Sequence, residues 1–99
     1  MQKSELGRPS EAEAHYNQAN LFRKLNRFEE ALAAYDLALA LVPQHHEAHF
    51  NRANVLRDLR RREEALESYN RALILKPDFV EALVNRGTLL QGSGQLEMR

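Results

Sequence analysis

The chain repeats itself with a period of 34 residues. Residues 12–45 and 46–79 share 18 identical positions, and residues 80–99 begin a third copy that stops partway. Self-similarity at this period is typical of proteins built as a stack of similar units, each of which contacts only its neighbours. Such a stack offers an extended surface rather than an enclosed pocket. We therefore expect the function to reside on a surface.

The composition limits the classes of partner and the cellular compartment that we expect. A length of 99 residues allows one small domain with a modest core, and 14 basic side chains balance 14 acidic ones. This balance gives no electrostatic reason to expect a nucleic-acid or membrane partner. The absence of cysteine excludes disulfides and thiol-ligated metals, which is consistent with a cytoplasmic protein. Residues 1–10 lack the apolar segment of a signal peptide, so we assign them as a lead-in to a single domain of residues 11–99.

Apolar residues recur three and four positions apart along the chain, a spacing typical of amphipathic helices. Ser10 and Glu13 have the spacing of a capping box, which predicts the start of the first helix, and Asn26 tolerates the left-handed backbone at its end. Short connections would fold each helix back antiparallel on the one before it. The four further helices are predicted at about Phe28–Leu41, His46–Leu59 and Arg62–Leu75, and from the capping box of Asp78 and Glu81 toward Gly92 and Gly94.

Small, aromatic and proline residues recur at fixed positions of the repeat. These positions are Ala19, Ala53 and Gly87 in the first helix of each repeat, Ala31, Ala65, Tyr35, Tyr69, Ala38 and Ala72 in the second, and Pro43 and Pro77 after it. Together they resemble the tetratricopeptide repeat (TPR) family. The resemblance implies an all-α, right-handed α-solenoid of antiparallel helix pairs, with full repeats at residues 12–45 and 46–79 and the first helix of a third in residues 80–99.

Two positions of this pattern lead to specific expectations. The resemblance implies that Ala19, Ala53 and Gly87 lie where two helices approach closely. Arg60 departs from the family, because its place in the turn usually takes Gly or Asn. We therefore expect the bend before the fourth helix to be strained or differently shaped.

In TPR proteins the first helix of each repeat lines the concave side of the stack, and the resemblance implies the same here. Several registers of that helix matter most: glutamates 13, 47 and 81, the asparagines Asn17, Asn51 and Asn85, and one turn further along the same face Asn20 and Asn54. We call these five asparagines the asparagine ladder. Asparagine is a mediocre helix former, and its amide offers a donor and an acceptor that suit the backbone of an extended peptide. Tyr16 and Phe50 beside the ladder would add apolar contact. The alternative is that the asparagines satisfy neighbouring helices or each other.

The asparagine ladder indicates a resemblance to one subgroup of TPR proteins. Residues 50–54 and 82–87 are similar to the repeats of TPR proteins related to O-linked N-acetylglucosamine transferase, including bacterial relatives. In that transferase a concave asparagine ladder grips the backbone of the substrate polypeptide, which implies the same role here. Another TPR class clamps a C-terminal carboxylate with cationic side chains, but Tyr16, Glu81 and Asn85 stand in the places of those cations. An acidic groove repels a carboxylate, so we exclude this clamp.

The remaining polar clusters do not indicate an active site or a metal. His45 and His49 lie four residues apart and could share a metal, but solvated or packed histidines are the better interpretation. Arg57 and the arginines at 60–62 form a basic cluster that nearby acidic residues neutralise, which argues against nucleic-acid binding. No nucleophile has a matching base, and no glycine-rich loop opens a helix. We therefore predict no enzymatic activity and no cofactor.

The unfinished third copy leads to a second hypothesis. Only residues 95–99 remain where the partner of the fifth helix would begin, so Leu83, Leu89 and Leu90 would be partly bare. A bare apolar end favours pairing with another copy of the chain or with the rest of a longer array. Two functions stay open: a module that binds a peptide or protein in its groove, and an assembly unit that self-associates through this end and its convex surface.

Overall fold

The computed structural model describes the backbone of residues 2–98 and the side chains of residues 10–92. The described residues form five helices and no strand: α1 (Gln2–Lys24), α2 (Phe28–Leu41), α3 (His46–Asp58), α4 (Arg62–Leu75) and α5 (Val80–Met98). This confirms the all-α helical-repeat fold. The predicted bounds of α2 and α4 are also confirmed, whereas α3 ends at Asp58 instead of Leu59.

The two terminal helices differ from the prediction. α1 begins at Gln2 instead of Ser10, so Ser10 lies inside the helix and does not cap it. α5 begins at Val80, so Asp78 lies too early to cap it, and its carboxylate accepts a hydrogen bond from Lys76 Nζ at 3.2 Å instead. α5 continues to Met98, because none of the glycines in the described backbone adopts the left-handed conformation with which glycine ends a helix. Residues 95–98 therefore belong to α5 and do not start a partner helix.

The core lies between the helices of each pair and between the pairs. α1 packs on α2 and α3 packs on α4, while contacts of α2 with α3 and of α4 with α5 join the pairs. The small and aromatic residues of the repeat pattern fill this core: Ala19, Ala31, Tyr35, Ala38, Ala53, Ala65, Tyr69 and Ala72 are all buried. Small side chains let the helices approach, and the tyrosines fill the space that remains.

Gly87 does not share this environment. It is exposed, and a methyl group added to it would meet nothing within 4 Å, whereas Ala19 and Ala53 at the same repeat position are fully buried. The expected close approach at Gly87 is therefore wrong. The physical reason is that no described helix covers α5 in the way that α2 covers α1 and α4 covers α3.

The turns after α1 and α3 have the same shape. Asn26 and Arg60 both adopt the left-handed conformation, with φ of 61° and 65°. In each turn the next amide donates to the carbonyl five residues earlier, Arg27 to Phe22 and Arg61 to Leu56, at 2.8 Å. This hydrogen bond is typical of a helix that ends through a left-handed residue. The bend before α4 thus has the same shape as the bend before α2. Arg60, which has a Cβ atom, is nevertheless held there in an unfavourable backbone conformation.

Candidate functional site

The first helices of the repeats, α1, α3 and α5, share one face, and hydrogen bonds between asparagines join them there. Asn51 on α3 donates from Nδ2 to Asn20 Oδ1 on α1 at 3.3 Å and to the Tyr16 hydroxyl at 2.9 Å. One repeat later, Asn85 on α5 donates from Nδ2 to Asn54 Oδ1 on α3 at 3.1 Å. Part of the ladder therefore bridges consecutive repeats.

The same two acceptor oxygens tie each first helix to its own second helix. The Tyr35 hydroxyl of α2 donates to Asn20 Oδ1, and the Tyr69 hydroxyl of α4 donates to Asn54 Oδ1. Burial raises the pKa of Tyr35 to about 12 and also raises the pKa of Tyr69, so both hydroxyls keep their protons at neutral pH. Asn20 and Asn54 thus satisfy neighbouring helices, as the alternative interpretation of the ladder expects.

Other polar atoms of the ladder remain open. Asn17 is exposed, and none of the described side chains forms a hydrogen bond with it. None of them donates a hydrogen bond to Oδ1 of Asn51 or of Asn85. Each of these atoms is a strong hydrogen-bonding group that water or a ligand must satisfy. The ladder therefore divides by position: Oδ1 of Asn20 and Asn54 accepts hydrogen bonds from other helices, whereas Asn17 and Oδ1 of Asn51 and Asn85 have no described hydrogen-bond partner.

Aromatic side chains form the floor of this face, which we call the groove. The ring centroids of Tyr16 and Tyr35 lie 6.1 Å apart, and those of Phe50 and Tyr69 also lie 6.1 Å apart, with the same interplanar angle of 55°. A shallow depression of about 340 Å³ is lined by Phe50, Val80, Glu81, Val84 and Asn85. A smaller one of about 170 Å³ adjoins it and is lined by Tyr16, Glu47, Phe50, Asn51, Phe79 and Glu81. The groove thus combines apolar contact surface with amide groups.

Charged side chains border the ladder on both sides. The glutamates at 13, 47 and 81 lie one turn before it, and Arg23 and Arg57 lie one turn after it on α1 and α3. Arg57 Nη1 lies 3.4 Å from the Tyr69 hydroxyl, and the Arg57 charge opposes the rise that burial causes in the pKa of Tyr69. The glutamate register was predicted from the sequence, but this arginine row was not. The 34-residue spacing of Arg23 and Arg57 is the signal that could have found it.

The histidines at the start of α3 have structural roles. His45 Nδ1 accepts a hydrogen bond from the Ala48 amide at 3.2 Å and so caps the helix, while its Nε2 lies 3.3 Å from Glu13 Oε2. His49 is buried, and its Nε2 donates to the Pro43 carbonyl oxygen at 2.9 Å. Within the described part of the chain, no group of three or more potential metal ligands lies together.

Most of the basic cluster is paired. Arg61 donates to both carboxylate oxygens of Glu64, at 2.7 and 3.0 Å, and Arg62 Nη2 donates to the Leu89 carbonyl oxygen at 2.7 Å. Arg60 is exposed. These contacts fix the α3–α4 turn against α4 and α5, so the cluster is chiefly a structural feature of the turn.

The predicted oligomer contact lies on α5. Leu83 is 42% exposed and Leu90 is 51% exposed, whereas the equivalent residues of the preceding repeat, His49 and Leu56, are 9% and 0% exposed. Leu89 differs from the other two leucines, because it is partly buried and packs against the core. An apolar strip is therefore open on one side of α5. No helix of the described chain is both long and apolar enough to cross a bilayer.

Comparisons with known proteins agree with this architecture. Among solved structures, MamA superposes with a TM-score of 0.83 at 24% identity over 87% of this chain and 50% of the MamA chain. The TPR domain of Arabidopsis OM64 gives a TM-score of 0.85 at 21% identity, covering 92% and 75% of the two chains. The first TPR of Spaghetti (RPAP3), solved bound to the HSP90 peptide SRMEEVD, gives 0.80 at 28% identity, covering 84% and 66%. The chain thus spans about half the length of the MamA chain.

The sequence comparison is consistent with the structural one. None of the curated proteins matches the chain significantly. The family model for the tetratricopeptide repeat matches three overlapping segments, residues 3–46, 16–78 and 50–96. TPR domains are protein-interaction modules and generally act as non-catalytic scaffolds. The chain, whose described residues form five helices stacked as repeats of 34 residues, belongs to the tetratricopeptide repeat family.

Proposed function

We propose that the chain binds an extended segment of a protein partner in the groove of α1, α3 and α5, through the open amide groups of the asparagine ladder. The observation behind this proposal is the row of Asn17, Asn51 and Asn85, whose open atoms lie beside an aromatic floor. An extended peptide exposes donors and acceptors at every residue, and primary amides can pair with both. Such pairing depends little on the side chains of the peptide.

We infer this recognition of the peptide backbone for the present chain because its repeats resemble those of the O-linked N-acetylglucosamine transferase type. The division of the ladder supports it, because Asn51 and Asn85 use Nδ2 to bridge repeats and leave Oδ1 as an acceptor. Tyr16 and Phe50 are partly buried, so each keeps some apolar surface for a ligand. The RPAP3 domain was solved with an acidic peptide, SRMEEVD. Here Glu47 and Glu81 border the groove, and we expect a different partner.

The test is binding of the purified chain to an array of short peptides of mixed composition, followed by fluorescence anisotropy with the best binders. The triple variant Asn17→Ala, Asn51→Ala, Asn85→Ala should weaken binding roughly a hundredfold, at about 1 kcal/mol for each lost hydrogen bond. The matched control Gln18→Ala, Gln44→Ala removes two exposed amides and should bind as the parent does. Equal affinities of the parent and the triple variant, both folded by circular dichroism, would refute the proposal.

A second candidate function is self-association through α5. The open strip of Leu83 and Leu90 supports it, because the equivalent side of α3 is closed by α4. Sedimentation velocity should show a concentration-dependent dimer that Leu83→Glu with Leu90→Glu abolishes. The control Leu37→Glu with Ile74→Glu places the same charges on two exposed apolar positions of α2 and α4, and shows whether the second helices take part. A monomer at all concentrations would exclude this function.

A further inference from the structure

Charge is distributed unevenly across the groove. Each first helix presents a rung of four side chains on one face, at spacings of three and four residues. The rungs are Glu13, Asn17, Asn20 and Arg23 on α1, Glu47, Asn51, Asn54 and Arg57 on α3, and Glu81, Asn85, Thr88 and Gln91 on α5. The ends of a rung lie about 15 Å apart at the rise of an α-helix. The third rung therefore has an acidic end and lacks the basic one.

The acidic ends of the second and third rungs flank the apolar depression. Glu47 and Glu81 both line the space beside Phe50, and both are exposed. Among the described residues neither forms an ion pair. Glu13 on the first rung has a polar neighbour, because its Oε2 lies 3.3 Å from His45 Nε2. Two carboxylates without an ion-pair partner among the described residues thus lie where the groove is most apolar, between α3 and α5.

The basic end of the second rung is partly compensated by its surroundings. Arg57 Nη2 lies 3.4 Å from Asp58 Oδ1, and Nη1 of the same guanidinium lies 3.4 Å from the Tyr69 hydroxyl. Gln91 stands where the third rung would need an arginine. The positive edge is therefore partly neutralised on α3 and missing on α5. The electrostatic field on a ligand above Phe50 and Val84 therefore comes mainly from the carboxylates of Glu47 and Glu81.

We infer that the groove selects extended peptides in which lysine or arginine adjoins an apolar residue. The apolar side chain lies in the depression lined by Phe50 and Val84, and the cationic groups reach the carboxylates of Glu47 and Glu81. This inference rests on the proposed peptide-binding function and adds the chemistry of the partner. Charge-assisted hydrogen bonds to carboxylates are stronger than neutral ones, and a row of like charges disfavours partners of the same sign. A peptide rich in carboxylates is therefore disfavoured.

Three labelled heptapeptides of one framework test the inference. They are SRMEEVD, the amidated SRMKKVK and the amidated neutral SQMQQVQ, each labelled on its N-terminal amine and measured by fluorescence anisotropy at low salt. Exposed ion pairs are weak, so two of them should make the lysine peptide bind about fivefold tighter than the neutral one, and SRMEEVD weakest. The difference should shrink at high salt, because screening acts strongly on exposed charges.

Charge-removing variants assign the effect to the groove. Glu47→Gln with Glu81→Gln should abolish the preference for the lysine peptide. Glu63→Gln with Glu67→Gln removes the same charge from the exposed side of α4 and should preserve it. A preference that survives Glu47→Gln with Glu81→Gln would overturn the inference. Equal binding of all three peptides, lost in the triple asparagine variant, would overturn it and leave the proposed function standing. Binding of none of them would overturn both.

Discussion

The equivalent turns after α1 and α3 allow the cost of one backbone conformation to be measured within a single molecule. Asn26 and Arg60 adopt nearly the same left-handed φ, 61° and 65°, with the same hydrogen bonds around them. The left-handed conformation costs an ordinary L-residue about 1–2 kcal/mol, and asparagine less, because its short polar side chain bonds locally. We therefore predict that Arg60→Asn raises the free energy of unfolding by about 0.5–1 kcal/mol. The melting temperature should rise by about 2–8 °C in a domain of this size.

The controls separate conformation from charge. Arg60 lies near Arg57 and Arg62, so the loss of a positive charge could itself stabilise the turn. Arg60→Gln removes that charge but keeps an ordinary side chain in the left-handed region, and should gain much less than Arg60→Asn. The reciprocal change Asn26→Arg should lose about what Arg60→Asn gains. Urea denaturation followed by the helical circular dichroism signal measures all three variants. An equal gain for glutamine and asparagine would refute the conformational explanation.

Three further predictions concern the core and the pH dependence. Gly87→Ala should raise the free energy of unfolding by about 1 kcal/mol, because the added methyl group meets nothing within 4 Å and alanine is the better helix former; a loss in urea denaturation would mean that this side of α5 is covered. Tyr69→Phe should lower it by about 1–2 kcal/mol, because buried Asn54 loses a donor; an unchanged urea midpoint would contradict this. Burial lowers the pKa of His49, so below its ordinary value of 6.5 the unfolded chain binds a proton that the folded chain resists, and stability should fall on acidification. His49→Leu should flatten the pH dependence of the urea midpoint between about pH 7 and 5, and an unchanged slope of that dependence would refute the assignment.

The repeat pattern predicted the inner helices well and the outer ends poorly. The bounds of α2 and α4 follow from signals that occur in both full copies, such as the glutamate pair in the first turn and the proline after the helix. The start of α1 and the end of α5 have no second copy for comparison. Local signals decided them, and at the start of α5 the local signal was preferred to the copy at His46. Ser10 and Asp78 have the spacing of capping boxes, but whether such a residue caps a helix depends on the backbone around it. A local motif indicates a possible end, and the backbone around it decides whether the helix stops there.

The groove residues were predictable as a set, but their division was not. The spacing placed five asparagines on one helical face, and the structure joins four of them in two hydrogen-bonded pairs. The spacing alone could not show that Asn20 and Asn54 accept hydrogen bonds from Tyr35 and Tyr69, because those tyrosines were assigned to the core for their apolar rings. A tyrosine buried in a helical repeat needs a partner for its hydroxyl group. Its recurrence 15 residues after an asparagine in both copies is the signal that would have named that partner.

The two interpretations of the asparagine ladder concern different atoms of the same side chains. Asn51 donates from Nδ2 to the preceding repeat, and this bond fixes the rotamer and the direction of its amide. Oδ1 is then the atom left for a ligand, already oriented before binding. Asn85 is held in the same way by Asn54, whereas no described residue orients Asn17. Because an oriented side chain loses less entropy on binding, the stacking bonds should strengthen ligand binding at Asn51 and Asn85 relative to Asn17. Under the proposed function, stacking and binding cooperate in this groove, and weakening the contact between repeats should weaken both.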